Sequence, residues 1–524
     1  MKKKSAPKGP RNLDKYLFEA GQQCHKRLWL DYHEPTAEPP LPSRQAMSEA
    51  GATLRTLART AFPKGVLIAE TDITKAAAET KSQLEAGVPV LFDAAFVADG
   101  VEARCDILVA HKDGAFDLFE IKSGTKIKHR YVNDLALQAH VAEKCGHQLR
   151  AAFLLHVNLK YVHKEGADYP PMQLLRSNDV TAKVKKQLLH VSRRLHQFRG
   201  VVADENVLQL PMGTFCTAPF PCPHLERCSQ QAPKLPLREL PELTHAQEVE
   251  LHKEGIEELT TIDPAREGLT FRQRRTLACL REGKAIVEPF ARTELRQCTQ
   301  PLHFLSLAAI TDALPRFDEQ RPWRQLPYAW AAVTVHADGR TERASFVHVD
   351  RDDPRPGFVT SLAKHLDCGG TILCWNDESL DGLRDLLEDL PAAKAQVRGI
   401  TGRPHLDMMH LFEASVFHPE LRDHHDLRQS VAALLEDNTG AELPVFGEEQ
   451  LRQWLAKACA PRVRAATKEK LGAEILAGLT WSSERLFDLY RKFAEVEVKA
   501  PKAKAPVKVS SKPLPKPLPL PKDE

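Results

Sequence analysis

The hydrophobic pattern of the first 200 residues predicts a small β-sheet flanked by helices. Short apolar or alternating runs favour strands, which we expect at residues 66–71, 89–97, 101–110, 115–122 and 150–158. Apolar positions that recur every three or four residues favour helices, which we expect at residues 12–32, 44–62, 74–86, 131–145 and 178–200. The order of three strands, a helix and a further strand predicts an α/β domain.

A β-hairpin is predicted within residues 101–122. Asp106 opens the apolar part of its first strand, and the second strand alternates apolar residues around Glu120 and Lys122. A two-residue Asp-Gly turn is expected to join the strands. Because pairing places the start of one strand beside the end of the other, we expect Asp106 to lie near Glu120 and Lys122.

Two carboxylates and an ammonium group at one place suit the hydrolysis of phosphodiesters. Carboxylates are hard oxygen ligands for Mg²⁺ or Mn²⁺, the metal lowers the pKa of its bound water, and a lysine stabilises the developing phosphorane. Alone the pair is a weak signal, since lysine and glutamate also alternate on solvated edge strands. Gln138, which shares a helix face with Asp134, can point back from the next helix toward Glu120.

Asp106, Glu120-Ile121-Lys122 and Gln138 together resemble the PD-(D/E)XK nuclease superfamily, and specifically its RecB-like branch. The resemblance implies a restriction-endonuclease-like core and a metal-dependent DNA nuclease. It also implies that Asp106, Glu120 and Ile121 bind Mg²⁺ or Mn²⁺, and that Asp106, Glu120, Lys122 and Gln138 are catalytic.

The upstream helix departs from this family. Four residues after Gly51, where RecB-like nucleases carry a metal-binding histidine, this chain has Arg55. Arginine has no free lone pair with which to bind a metal. The site therefore uses fewer protein ligands, or Glu49 takes part instead.

Four of the 11 cysteines form a second pattern: Cys24, and then Cys216, Cys222 and Cys228 in a proline-rich loop. Three thiols on a rigid loop are suited to binding a metal or a cluster. Zinc is the main alternative, since four-cysteine sites are common for it, although its ligands more often come as close CxxC pairs. Unligated thiols are a third possibility. His224 could act as a substitute ligand, but we expect it to be a surface loop residue.

The arrangement of these cysteines resembles the iron–sulfur nucleases of the AddB and CRISPR-adaptation type. In those proteins an N-terminal cysteine and a C-terminal trio bind a [4Fe–4S] cluster that joins the two ends of the fold. The resemblance spans roughly residues 12–230 and implies a structural cluster bound by Cys24, Cys216, Cys222 and Cys228.

Residues 301–495 predict a second α/β domain, with an apolar strand at 302–310, a hairpin around Asp338 and Gly339 and a strand at 370–375. It resembles a ribonuclease-H-like exonuclease domain of the DEDD type, through segments 304–308, 375–376 and 403–409. Such an enzyme needs four carboxylates for two metals. We place the first two at Ser306 and Ala308 and the third at Leu380, where Asp377 or Glu378 could shift in. Asp407 remains, and Glu484 is a candidate for the last position. One or two carboxylates cannot hold two cations, and we therefore expect an inactive domain.

The remaining segments predict no chemistry. Residues 1–11 form a basic arm and residues 496–524 a Lys/Pro-rich tail, and both are expected to be disordered. Residues 231–300 are predicted to be a helical linker. Its segment 251–262 is either a helix-hairpin-helix that grips phosphate or, as we favour, a spacer.

Composition bounds the function. A net charge of +3 is too small to indicate nucleic-acid binding by itself, but basic residues cluster after Lys122 and again between residues 183 and 199. Such clusters can follow a phosphate backbone or form a solvated face, and for the second cluster we favour the solvated face. Neither a secretory segment nor a membrane span is visible, so we expect a cytoplasmic protein without disulfides and without a membrane partner.

The sequence thus predicts a DNA nuclease that acts on single strands or ends, in repair, recombination or defence. We expect the C-terminal tail to be a binding segment for a protein partner. The alternative is a catalytically inactive nucleic-acid-binding or scaffold subunit that keeps the cluster.

Overall fold

The computed structural model describes residues 11–35, 42–230, 232–422, 426–443 and 448–495. It is a mixed α/β protein that divides into two compact units. The first unit contains the described residues up to Gly268 together with Asp312–Trp323, and the second contains Leu269–Thr311 with the described residues from Arg324 onward.

Three predicted segments relate to this division. The segment predicted as a helical linker, 231–300, is shared between the two units. Residues 1–10 of the basic arm and the tail at 496–524 lie outside the described residues.

The first unit is built on one mixed sheet. Its strands, in spatial as well as chain order, are β1 (Val66–Leu67), β2 (Val90–Ala98), β3 (Val101–Ala110), β4 (Ala115–Lys122), β5 (Gln148–Val157) and β6 (Leu175–Asp179). β2, β3 and β4 form an antiparallel meander, whereas β5 runs parallel to β4 and β1 parallel to β2. β6 pairs with β5 in the antiparallel sense and was not predicted.

Helices flank this sheet. They are α1 (Lys15–Gln23), α2 (His25–His33), α3 (Pro42–Arg59), α4 (Ile73–Glu85), α5 (His129–Lys144), α6 (Pro171–Leu174), α7 (Thr181–Ala203), α8 (Leu225–Ser229) and α9 (His245–Lys253). Between β4 and β5 the chain forms α5, a crossover helix that a parallel strand pair requires. Most of α5 is buried, including Leu135, Ala136 and Ala139 in the main core of the unit.

The single helix expected at residues 12–32 is instead two helices, so that prediction was wrong. Cys24 has an extended backbone, with φ −161° and ψ 126°, which ends α1 and begins α2. Asp14 caps α1, because its carboxylate accepts a hydrogen bond from the Leu17 amide at 2.8 Å. The break leaves Cys24 at the junction of the two helices, where it lines the cavity described below.

The predicted β3–β4 hairpin is confirmed, although its turn is longer than expected. The Gly114 amide bonds to the His111 carbonyl at 3.1 Å, and the His111 amide bonds to the Ala115 carbonyl at 2.9 Å. Gly114 has φ +82°, a left-handed conformation that glycine adopts without strain. The loop is therefore a three-residue turn rather than the two-residue turn expected from Asp-Gly.

The second unit contains a five-stranded sheet. Its strands are β8 (Leu302–Thr311), β9 (Gln325–Val335), β10 (Thr341–Val347), β11 (Thr371–Cys374) and β12 (His405–Asp407), in the spatial order β10-β9-β8-β11-β12. β8 pairs antiparallel with β9 and parallel with β11. A small separate sheet pairs β7 (Ile286–Val287) with β13 (Val416–Phe417). The strands predicted at 302–310 and 370–375, and the hairpin around Gly339, are confirmed.

The helices of the second unit are α10 (Phe271–Glu282), α11 (Pro289–Gln297), α12 (Pro354–His365), α13 (Glu378–Gly382), α14 (Leu386–Asp389), α15 (Lys394–Thr401), α16 (Met408–Ser415), α17 (Leu427–Leu435), α18 (Glu448–Ala458) and α19 (Ala465–Ala494). Among the described helices of both units, none combines the length and apolar composition that crossing a lipid bilayer requires.

The segment considered as a helix-hairpin-helix does not contain two helices. α9 ends at Lys253 and Gly255 turns the chain with φ +77°. The segment that follows forms only a three-residue 3₁₀ turn, Leu259–Thr261. A phosphate-binding second helix is therefore not present there.

Candidate active site and cysteine cavity

The hairpin brings Asp106 beside the end of β4. Ile107 lies opposite Phe119 in the β3–β4 ladder, so the next residue of each strand toward this end is Asp106 and Glu120. The Ile121 amide donates a 2.8 Å hydrogen bond to Asp106 Oδ2. Glu120 is 2 % exposed, and the Asp106 side chain is 16 % exposed. Two carboxylates thus share one largely buried location.

Two lysines surround Glu120. Lys122 Nζ lies 2.6 Å from Glu120 Oε1 and 2.8 Å from Asp134 Oδ2. Lys15 Nζ, which comes from α1, lies 3.0 Å from the same Glu120 oxygen and 2.8 Å from the same Asp134 oxygen. Gln138 Nε2 donates to the second oxygen, Glu120 Oε2, at 2.8 Å. Both oxygens of Glu120 are therefore held by side chains.

Two members of this network were not predicted as site residues. Asp134 lies one turn before Gln138 on α5, and the i,i+4 spacing that aims Gln138 at Glu120 aims Asp134 at the same place. Lys15 comes from a helix far away in the sequence, and only the packing of α1 against α5 brings it to the site. Asp134 could have been found from its spacing, whereas Lys15 carries no local signal.

Burial and neighbouring charge set the protonation of this group. Burial, reinforced by the Glu120 charge, raises the pKa of Asp106 to about 7. Burial also acts to raise the pKa of Glu120, but Lys122 and Lys15 outweigh it and hold that pKa well below its usual value. Burial acts to lower the pKa of Lys122, and its attraction to Glu120 more than reverses this, so Lys122 remains charged.

Arg55 lies in the same cluster. Its Nε is 3.8 Å from Asp106 Oδ1, so this arginine contacts one of the predicted metal ligands. The side chain of Glu49, the alternative ligand, lies outside the described residues. The group then holds three acids (Asp106, Glu120 and Asp134) and three basic residues (Lys15, Lys122 and Arg55). Glu19, whose charge interacts with both lysines and with Arg130, adds one acid and its partner Arg130 one base, so the formal charges balance.

The four predicted cysteines come together. Cys24, Cys216, Cys222 and Cys228 all line one small cavity. Burial raises the pKa of the Cys216 thiol, and it raises that of Cys222 to about 11. Residues nearly 200 positions apart in the sequence thus meet at one place.

Hydrogen bonds fix the cysteine loop to the end of α1. Gln23 Nε2 donates to the carbonyl oxygens of Phe215, Ala218 and Phe220 at 2.7, 3.2 and 2.9 Å. The Phe220 ring also lies 4.4 Å from the guanidinium carbon of Arg130. The position of the loop therefore depends on α1 and on the first turn of α5.

His224 also lines the cavity, and it is not a surface residue. It is 3 % exposed, and its Nε2 lies 2.7 Å from Asp31 Oδ1. Within the described ranges, no three histidine, cysteine, aspartate or glutamate side chains form a group that could hold a metal ion.

The second unit has a cleft beside its central strands, with a volume of about 570 Å³. Ser306 and Leu380, two of the positions aligned with catalytic carboxylates, line it together with Asn376 and Trp375. Asp426 also lines the cleft, but its carboxylate caps α17 by accepting from the amides of Arg428 and Gln429.

The other three aligned positions are occupied differently. Ala308 is a buried residue of β8. Asp407 caps α16 by accepting from the His410 amide at 3.0 Å, and Glu484 lies 3.0 Å from Arg343 Nε. Neither carboxylate lines the cleft.

Residues 303–425 match a protein family described as a domain of unknown function, DUF2779. The match begins one residue into β8, extends through β12 and lies within the second unit apart from Asp312–Trp323. No curated protein matches the chain significantly. The DUF2779 match assigns no chemistry, so both the carboxylate cluster and the cysteine cavity must be interpreted from their own residues.

Proposed function

We propose that the first unit is a metal-dependent DNA nuclease of the PD-(D/E)XK type, and that a [4Fe–4S] cluster bound by four cysteines joins the two ends of its fold. The observation that carries the proposal is the convergence of Asp106, Glu120, Lys122 and Gln138 at one end of the β3–β4 hairpin. A role in DNA repair, recombination or defence, with single strands or ends as the substrate, belongs to the same proposal.

The topology supports this assignment. The elements around the carboxylates follow in the order α4, β2, β3, β4, α5, β5, with an antiparallel meander and then a parallel strand. This is the helix–three strands–helix–strand order expected for that nuclease core. The acids lie on its two central strands, and Gln138 lies on the crossover helix.

The donor set suits a hard divalent cation. The carboxylates of Asp106 and Glu120 would hold Mg²⁺ or Mn²⁺, and Ile121 would contribute its main-chain carbonyl, since its side chain is apolar. Burial and, after it, the charge of Glu120 raise the pKa of Asp106, and a cation between the two carboxylates would favour their ionised forms. When bound, such a metal supplies Lewis-acid catalysis and a more acidic water.

The surrounding side chains have separate tasks. Lys122 carries a positive charge in a buried site, where it can stabilise the negative charge that develops on the phosphate during attack. Asp134 holds the ammonium groups of Lys122 and Lys15 on the Glu120 side. Gln138 donates to Glu120 and fixes the orientation of its carboxylate.

We favour a cluster over zinc in the cysteine cavity. In a tetrahedral zinc site with Zn–S bonds of about 2.3 Å, the four sulfurs lie roughly 3.8 Å apart around one ion. In a [4Fe–4S] cluster each cysteine binds a different iron, so the thiols stand further apart. Zinc ligands more often come as close CxxC pairs, which these cysteines lack, and this spacing favours the cluster.

Calorimetric titration of Mn²⁺ into anaerobically purified full-length protein tests the metal site. We expect saturable binding by the wild type and none by Asp106→Ala, because a ligand has been removed. Binding that is the same in both proteins would contradict the assignment of Asp106.

A second function has one observation in its favour: an inactive nucleic-acid-binding or scaffold subunit. Because Lys15, Lys122 and Arg55 already balance Asp106, Glu120 and Asp134, the cluster needs no added cation for neutrality. Under this alternative the cysteines keep their structural cluster, but DNA is bound without being cut.

Substitution of Arg55 separates the two functions. Arg55→His removes a cation that pairs with Asp106 and supplies a possible ligand, so we expect the Mn²⁺ concentration for half-maximal cleavage to fall severalfold. Arg59→His, on the same helix but paired with Asp93, serves as the control. An inactive wild type with an active Arg55→His variant would favour the scaffold function. A higher Mn²⁺ requirement in Arg55→His than in the wild type would contradict the expectation that Arg55 competes with the metal for Asp106.

We further propose that the second unit is a ribonuclease-H-like domain without hydrolytic activity. Its sheet order, with β8, β9 and β10 as an antiparallel meander and with β11 and β12 parallel to β8 on the other side, supports this fold. Ser306 and Leu380 lie in the cleft where the alignment requires carboxylates.

This second proposal predicts the behaviour of a full-length protein whose first unit is disabled. With Lys122→Ala in place, metal-dependent DNA cleavage should fall to the level measured in EDTA, because no second active site remains. Residual exonuclease activity that disappears on adding Asp407→Asn would show that the second unit is active after all.

A further inference from the structure

α7 is the most strongly basic helix of the first unit. Its 23 residues, Thr181–Ala203, contain six lysines and arginines and no aspartate or glutamate. Solvated helices usually mix both signs of charge, since oppositely charged neighbours stabilise them. A helix whose charged residues are all positive is a candidate binding surface for a polyanion.

The charges of α7 are concentrated on one flank. The buried side of the helix carries Val184, Val191, Leu195 and Phe198. At about 100° per residue, Lys183, Lys186 and Arg193 project from one flank, whereas Lys185 projects from the other. All four are exposed, and Lys183 to Arg193 spans about 15 Å along the axis.

The basic flank of α7 adjoins the start of α5. Gln187 Nε2 lies 3.1 Å from His129 Nε2, and Gln187 belongs to the same side of α7 as Lys183. His129 is the first residue of α5, and exposed Lys126 and Lys128 precede it. Neither α7 nor the segment from Ile121 to Asn133 contains an acid. The two basic clusters, which are separate in the sequence, thus form one surface.

This surface leads to the carboxylate cluster. The Arg130 guanidinium carbon and Lys122 Nζ each lie 5.0 Å from the centre of the Tyr131 ring, so cations continue from the start of α5 into the site. Glu19 of α1 is close enough to Arg130 for their charges to interact, and it lies on the side of the carboxylate cluster rather than on α7. A negatively charged chain bound along α7 would therefore be directed toward Asp106 and Glu120.

We propose that Lys126 and Lys128, together with Lys183, Lys186 and Arg193, form a binding surface for the phosphodiester backbone of a nucleic acid. Its direction toward the active site rests on the proposed nuclease function, but binding itself does not. Recognition is of charge, so affinity is independent of base sequence and falls with salt. A single strand and a duplex share this chemistry. An anionic membrane also carries negative charge, but the flat membrane surface would not extend from α7 to the carboxylates as a nucleic-acid chain would.

The test is fluorescence anisotropy of the full-length protein with labelled single-stranded and duplex oligonucleotides, in EDTA so that no cleavage occurs, over a range of salt concentrations. Replacing Lys183, Lys186 and Arg193 together by alanine should raise the Kd at least about tenfold at low salt. It should also reduce the slope of log K against log salt by about 2 on a single strand or nearly 3 on a duplex. Whichever substrate shows the larger loss is the one that this surface binds.

Two comparisons make the result specific. Lys183→Glu should weaken binding severalfold, whereas Lys185→Glu, with the same charge change on the same helix, should leave the Kd within about twofold of the wild type. An unchanged slope in the triple variant, or equal effects of the two single variants, would overturn the proposal. The proposal would also be overturned if the triple variant lost binding to phosphatidylserine vesicles but kept its binding to DNA.

Failure of the surface and failure of the nuclease can be told apart. If the wild type cuts DNA with Mn²⁺ and the triple variant binds DNA normally, the proposed surface is wrong and the nuclease stands. If the triple variant loses binding but the wild type never cuts, the surface stands and the nuclease is wrong.

Discussion

Lys122→Ala should abolish Mn²⁺-dependent cleavage of DNA while leaving the protein folded. Lys122 is a charged group in the buried cluster, 2.6 Å from Glu120 and 2.8 Å from Asp134. Removing one preorganised charge that stabilises a transition state costs roughly 100- to 1,000-fold in kcat. Lys15 contacts the same two carboxylates, so the variant still has a counterion for the buried acids and its stability should change little.

The control for Lys122→Ala is Lys112→Ala, which removes an exposed lysine from the other end of the same hairpin. Initial rates on end-labelled single-stranded DNA and the Tm of each variant are the measurements. Full activity in Lys122→Ala would exclude this lysine from the chemistry. If Lys122→Ala lowers the Tm as well as the activity, its lost activity could come from unfolding. Lys122→Met, which keeps the apolar stem, would then separate a catalytic role of the lysine from a structural one.

Cys216→Ala should give a colourless and much less stable protein. Wild-type protein purified without oxygen should be brown, with broad absorption at about 400 nm, as expected of a cysteine-bound iron–sulfur centre. Cys216 shares its cavity with Cys24, nearly 200 residues away, and metal binding between distant segments is coupled to folding. We therefore expect loss of iron and a Tm that is lower by roughly 10 °C or more.

Cys145→Ala provides the matched control, because Cys145 is an exposed cysteine of the same unit that does not line the cavity. It should keep both its colour and its Tm. Iron and zinc analysis of the anaerobic wild type distinguishes the alternatives. Stoichiometric zinc without iron would show that the four cysteines form a zinc site instead of a cluster. A wild type without metal, together with an unchanged Tm in Cys216→Ala, would show that the thiols are unligated.

Local patterns were enough to predict most of the first unit. The hairpin of β3 and β4 follows from alternating apolar residues and a glycine that can adopt positive φ, so the proximity of Asp106 and Glu120 could be anticipated. The face of α5 that carries Gln138 follows from helical spacing. The even spacing of Cys216, Cys222 and Cys228 in a proline-rich loop likewise indicates a shared site.

What the sequence could not predict depends on contacts between distant segments. Nothing near Lys15 indicates that its ammonium group lies 3.0 Å from Glu120, because this distance is set by how α1 packs. Nor does the sequence show that Cys24 interrupts a helix, since no glycine or proline occupies that position. His224 is buried beside Asp31, which lies about 190 residues earlier in the sequence. Its place in a proline-rich loop instead predicts a surface residue.

We propose that the carboxylate cluster of the first unit cuts DNA with a divalent metal. Cleavage of end-labelled single-stranded DNA tests this proposal, with anaerobically purified wild-type protein and Asp106→Ala compared in Mn²⁺ and in EDTA. We expect cleavage only by the wild type and only with Mn²⁺. Cleavage by Asp106→Ala at the wild-type rate, or no cleavage by a wild type that contains its cluster and binds DNA, would contradict it.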